Sequence, residues 1–235
     1  MALPKLNESP KYSLTIPSTR QEVRFRPYLV KEEKVLMIAM ESEDQSKIFN
    51  AIADTIEACI EEPIAKNKLT TFDIEYMFVQ IRSKSVGESI DLDLPCNKCE
   101  TPNAINIKLD DVKVDIPEIE NVIKINDDIS IQMQWPSFAI IADKELLENN
   151  SGTEQTFRMV AKCIDAVLTE DERITFKDES YADQMAFIES LSSQQFNEIR
   201  KFIELLPTME HKVNFNCVSC GEENEITLRG MSDFF

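Results

Sequence analysis

Two Cys-x-x-Cys pairs, Cys96/Cys99 and Cys217/Cys220, constrain this chain more than any other feature of its sequence. One CxxC turn can aim two sulfurs at a single ion, and tetrahedral zinc takes four such ligands. The second pair lies 121 residues after the first with the same internal spacing, so a shared ion must bring two distant segments together. A disulfide scaffold would be shorter and denser in cysteine; in a reducing compartment such pairs read as metal binding or redox chemistry. Redox CxxC chemistry needs a helix N-terminus to lower the thiol pKa. Both pairs here are followed by strand-like residues instead. Iron–sulfur ligation by the four cysteines and two unlinked thiol pairs are the remaining readings.

The flanks of the two pairs also match. At the same shift of 121, Leu92 falls on Val213, Leu94 on Phe215, Asn103 on Asn224, Ile105 on Ile226 and Ile107 on Leu228. Further upstream a shift of 108 places Phe49 on Phe157, Ala53 on Ala161, Ile56 on Ile164, Ala58 on Ala166 and Glu62 on Glu170. An insertion of 13 residues around 174–188 reconciles the two offsets.

Local patterns repeat in the same order. Residues 12–16 and 22–26 alternate apolar and polar around Pro17-Ser18-Thr19, which predicts a hairpin. Helical periodicity runs over 31–61 with a break near Glu43-Asp44-Gln45 and a stop at Pro63. A helix capped by Thr70 or Thr71 carries Phe72, Tyr76 and Val79 on its apolar face. Strands then flank the first CxxC. The second half reads as a hairpin over 122–125 and 129–133 ending at Trp135-Pro136. Helices follow over about 137–148 and 155–168, an ambiguous strand over 173–176, and helices over 181–191 and 193–205. Strands again flank the second CxxC. The expected fold is α+β, built from an internally duplicated hairpin–helices–strand–CxxC–strand unit. The halves would be residues 1–110 and 122–235, with 111–121 as linker, joined by a zinc-ribbon-like site of Cys96, Cys99, Cys217 and Cys220. One zinc per chain is expected. A closed set of four thiolates leaves no open coordination position, so its role would be structural.

Other residues offer no catalytic constellation. Cys59 and Cys163 sit in apolar helical stretches and read as core. His211 is the only histidine. Asp110-Asp111 and Glu170-Asp171-Glu172 lack calcium-loop spacing and read as solvated loops. Four glycines leave no phosphate-binding loop. A net charge of −18 repels nucleic acid and anionic membrane surfaces and favours a basic partner. A zinc-ribbon nucleic-acid-binding or regulatory protein, the alternative function, needs a basic stripe; the knuckle regions supply only Lys98, Lys108 and Lys212. A metallohydrolase would need an open metal position. No apolar run approaches the roughly 20 residues of a membrane span, and MALPKLNESPKY lacks the hydrophobic segment of a signal peptide. The chain is therefore expected in the cytoplasm. Phe234 and Phe235 would either insert into a partner's groove or fold back to cap the C-terminal half.

The stretches LPKLNESPKYSLTIPSTRQEVRFRPYLVKEEKVLMIAMESED and FDIEYMFVQIRSKSVGESIDLDLPCNKC cover most of residues 3–99. They resemble the baseplate hub assembly proteins of T-even-type myoviruses. Trp135-Pro136-Ser137 and the second CxxC extend the resemblance more loosely. It implies a non-enzymatic role in building the central hub of a contractile phage tail, as structural component or assembly chaperone. It also implies other tail and hub proteins as partners, a place in the host cytoplasm during assembly or in the virion baseplate, and no catalytic residues.

Overall fold

The computed structural model describes residues 9–42, 44–138 and 152–234. The extended arm expected over 1–10 and the helix expected over 137–148 lie largely outside these residues. The fold is α+β and divides into two compact units. The first holds the described residues up to Lys66, Phe72–Asp115, and the chain from Thr208 onward; the second holds Asn67–Thr71 and Ile116–Pro207. The sequence divides 1–110 from 122–235, whereas by compactness the C-terminal segment with the second CxxC groups with the first unit.

The first unit opens with the antiparallel hairpin β1 (Tyr12–Thr15) and β2 (Glu22–Phe25), which buries Leu14, Val23 and Phe25. The Arg26 guanidinium then donates to Glu32 and to the carbonyls of Pro27 and Ala58, fixing the exit of the hairpin against two helices. Those helices are α1 (Val30–Glu41) and α2 (Gln45–Cys59). The break between them is set by Asp44, whose side chain accepts from the Lys47 N–H at 3.2 Å as an N-cap. Helix α3 (Thr71–Ser85) buries Phe72, Ile74, Met77, Phe78, Val79 and Ile81, more than one face, so it is a central helix and not a surface one. Its buried Asp73 accepts the Ser18 N–H at 2.9 Å and the Ser18 hydroxyl at 2.6 Å, holding the β1–β2 turn. Strands β3 (Ser89–Pro95) and β4 (Pro102–Lys108) form a hairpin around the first CxxC, followed by the short β5 (Lys113–Val114).

The second unit is a four-stranded antiparallel sheet of order β6-β7-β8-β9, from β6 (Val122–Lys124), β7 (Ser130–Met133), β8 (Ile164–Leu168) and β9 (Arg173–Thr175). Helices α4 (Gly152–Cys163), α5 (Tyr181–Glu189) and α6 (Ser193–Glu204) pack on it through Ile131, Val160, Ile164, Ile188, Ile199 and Phe202. A reciprocal capping box of Ser192 and Gln195 starts α6. The helix expected to reach residue 168 ends at Cys163. Residues 164–168 are a central strand whose Ile164, Ala166 and Val167 are buried. A short, nearly continuous apolar run carries no period, so helix and strand look alike until β7 and β9 pair with it on either side.

The chain then returns to the first unit as β10 (Met209–Asn216) and β11 (Glu223–Arg229), a hairpin around the second CxxC in which β10 also pairs with β5. The apolar faces of the β3–β4 and β10–β11 hairpins share one core, with Ile90, Leu94 and Ile107 on one side and Val213 and Leu228 on the other. Phe234 is 1% exposed and belongs to this core. Of the two fates expected for it, folding back is the one this arrangement corresponds to, because its ring packs against the apolar face beside it. Phe235 lies outside the described residues.

Candidate metal centre

Each cysteine pair sits at the tip of a long hairpin, where the strands converge on a tight turn. The Cys96 N–H donates to the Thr101 carbonyl at 3.0 Å, and the Glu100 N–H to the Cys96 carbonyl at 2.9 Å. In the second knuckle the Cys217 N–H donates to Glu222 O at 2.8 Å, and the Gly221 N–H to Cys217 O at 3.0 Å. The residue after each second cysteine is left-handed: Glu100 at φ +57° and Gly221 at φ +73°. Glycine reaches that region without strain, and glutamate does so at a cost of about 1–2 kcal/mol. Inside each turn an amide points at the first sulfur, Lys98 N–H to Cys96 Sγ and Ser219 N–H to Cys217 Sγ, both at 3.4 Å.

The two tips meet. Cys96 Sγ lies 3.7 Å from Cys220 Sγ, and Cys99 Sγ lies 3.6 Å from Cys217 Sγ. All four sulfurs are within 4.8 Å of one another. Zinc–sulfur bonds of about 2.3 Å at tetrahedral angles place sulfurs about 3.8 Å apart, so this spacing fits one ion at the centre. A multi-iron cluster would hold the thiolates further apart. The first cysteine of each pair is buried and the second exposed, which gives an ion access from one side. The four cysteines could therefore hold one metal ion, with no coordination position left open to substrate.

Two asparagines lock the tips together. Asn103 Oδ1 accepts the Val218 N–H of the opposite knuckle at 2.9 Å, and Asn224 Oδ1 accepts the Asn97 N–H at 2.8 Å. Each amide group also donates within its own hairpin, Asn103 to Thr101 O at 2.7 Å and Asn224 to Glu222 O at 2.9 Å. The exchange is reciprocal, as a local two-fold axis through the sulfur cluster would make it. Lys98 adds an ion pair to Glu222 across the tips at 2.7 Å. That pair is exposed and contributes little stability.

The thiols titrate as a crowded group does. Backbone amides of Lys98 and Cys99 lower the Cys96 pKa, and the Cys220 amide leads in bringing Cys217 down to about 6. Cys220 goes the other way, up to about 12: the Glu222 amide favours its thiolate, but the neighbouring sulfurs of Cys99, Cys217 and Cys96, with lost hydration, outweigh that. A dication at the centre would reverse the penalty and deprotonate all four. The remaining thiols are inert by contrast. Burial pushes Cys59 up to about 11 and Cys163 up to about 12. His211 lies within β10, opposite Leu228, and is not among the clustered ligands.

A family model described as T4 bacteriophage base plate protein matches residues 9–235. The chain belongs to that family. A T4-type baseplate protein works in contact with other phage structural proteins and is at home in the virion tail. Searches of curated proteins and of solved structures gave no match. Among the described residues, no helix is long and apolar enough to cross a membrane. The sequence brought the four cysteines together correctly on spacing alone. It did not assign Asn103 and Asn224 their locking role, although they are the one polar pair matched inside the flanking strands.

Proposed function

We propose that this chain is a non-enzymatic component or assembly factor of the baseplate hub, stiffened by one structural zinc and acting by binding other tail proteins. The family match over residues 9–235 carries this reading. The closed four-thiol site supports the structural role for the metal, and zinc suits it because its preferred geometry is tetrahedral with thiolate ligands.

Internal duplication accompanies this reading, with a changed register. The residue after the second strand of each hairpin donates to a cysteine that ends a later helix, Arg26 N–H to Cys59 O at 3.0 Å and Gln134 N–H to Cys163 O at 2.8 Å. The next residue pairs back on that strand in both places, Ile60 with Phe25 and Ile164 with Met133. These contacts align Cys59-Ile60 with Cys163-Ile164, an offset of 104 residues where sequence matching uses 108. On this alignment the second copy places its hairpin and helix in one compact unit and its knuckle in the other.

Deleting the gene from the phage tests the function. Infected cells should then lack complete baseplates and tails, and the protein should co-fractionate with baseplate intermediates in wild-type infections. Normal yields of infectious, tailed particles without it would overturn the proposal.

A further inference from the structure

The second unit carries an open groove of about 790 Å³ lined by the segment 117–121, the end of β7 and residues of β8 and α6. The walls are apolar where Ile119, Met133, Trp135 and Phe202 line them, and Glu118 and Glu120 stand at the rim. Both glutamates are exposed and neither has an ion-pair partner among the described residues. The volume falls within the range of small-ligand and side-chain pockets. The lining combines an indole with carboxylates and contains no cation.

A guanidinium from outside the lining already bonds two of its residues. Arg173 donates to Asp165 at 2.6 Å and to Gln132 Oε1 at 3.3 Å, and both of these acceptors line the groove. Asp165 is thus satisfied from within the chain, while Glu118 and Glu120 are not. Arginine suits such a place better than lysine. Its planar, weakly hydrated head stacks on an indole and gives two parallel hydrogen bonds to a carboxylate.

We propose that this groove receives an arginine side chain presented beside an apolar residue by another protein of the same baseplate, which names the partner chemistry of the function proposed above and rests on it. The apolar neighbour covers the Ile119–Met133 wall, and the guanidinium lies over Trp135 between Glu118 and Glu120. The charge of the whole chain, −18, brings such a segment in by long-range attraction, and the groove selects among basic segments by shape.

Trp135 is the only tryptophan, so intrinsic fluorescence of the full, metal-loaded chain reads occupancy directly. The probes are overlapping peptides covering the other baseplate proteins of the phage. Saturating peptides are expected to contain an arginine next to an apolar residue, and to stop binding when that arginine is replaced by citrulline, its uncharged isostere. The E118Q/E120Q double variant should bind them about three- to tenfold more weakly, the range for two exposed charge pairs. A D171N/E172Q variant, which removes two charges in the β8–β9 turn, should bind as the parent does. The inference is overturned if no peptide saturates, if citrulline is tolerated, or if both double variants weaken binding alike, which would mean diffuse attraction. Failure here leaves the gene-deletion result untouched. Conversely, a chain dispensable for tails that still binds arginine peptides would remove the assembly role and keep the groove.

Discussion

Replacing Asn103 by alanine should loosen the two knuckles more than its size suggests. Asn103 is 2% exposed, and its side chain bonds Val218 N–H at 2.9 Å, Thr101 O at 2.7 Å and, more weakly, Leu94 O at 3.3 Å. At about 1 kcal/mol net per bond, the loss comes to about 2–3 kcal/mol. Asn224→Ala removes two bonds, to Asn97 N–H and Glu222 O, for about 2 kcal/mol. Residues that orient metal ligands typically change metal affinity by about 10–100-fold when removed. Amide hydrogen exchange read residue by residue, with chelator competition for the metal, measures both effects. Asn103→Ala should speed exchange at Val218 by about thirtyfold, the equivalent of about 2 kcal/mol, and Asn224→Ala should do the same at Asn97. Acceleration under twofold at both amides, with metal affinity unchanged, would refute the view that the asparagines hold the tips together.

Other consequences can be checked on the same protein. Metal analysis should give one zinc per chain, and Cys96→Ser and Cys217→Ser should destabilise comparably in thermal melts, because each removes the buried first ligand of its knuckle. Glu100→Gly should raise stability by about 0.5–1 kcal/mol by relieving a left-handed backbone, whereas Gly221→Ala should cost about 1 kcal/mol in denaturant titrations although nothing lies within 4 Å of the added Cβ. Glu75, on α3, is half-buried and accepts from the Met231 amide; desolvation raises its pKa. A raised carboxyl supports folding fully below its unfolded pKa, and that support is lost as pH rises through the folded value. Glu75→Gln should therefore stabilise the protein near pH 7, with the advantage shrinking as pH falls through the raised value and gone below the ordinary carboxylate range; an advantage independent of pH would contradict a desolvated charge.

What the sequence made legible followed from rigid local chemistry. CxxC spacing, the alternating strands on both sides of it and the helix break near Asp44 each depend on a few neighbouring residues, and each stands where it was expected. The misreadings came where partners distant in sequence decide. Ile164 to Leu168 become strand only because β7 and β9 flank them. Glu100 takes a glycine-like conformation because the knuckle imposes it.

Because the first unit is interrupted by Ile116–Pro207 and completed only by the stretch from Thr208 onward, a growing polypeptide cannot finish it early. Ribosomes add about 5–20 residues per second, so Cys96 and Cys99 emerge on the order of 5–20 s before Cys217 and Cys220. During that wait the apolar face of the β3–β4 hairpin has no lid. Any product terminated before Cys217 lacks half of the four-thiol cluster and keeps that face bare, so on the function proposed above ion capture would double as a checkpoint on finished translation products.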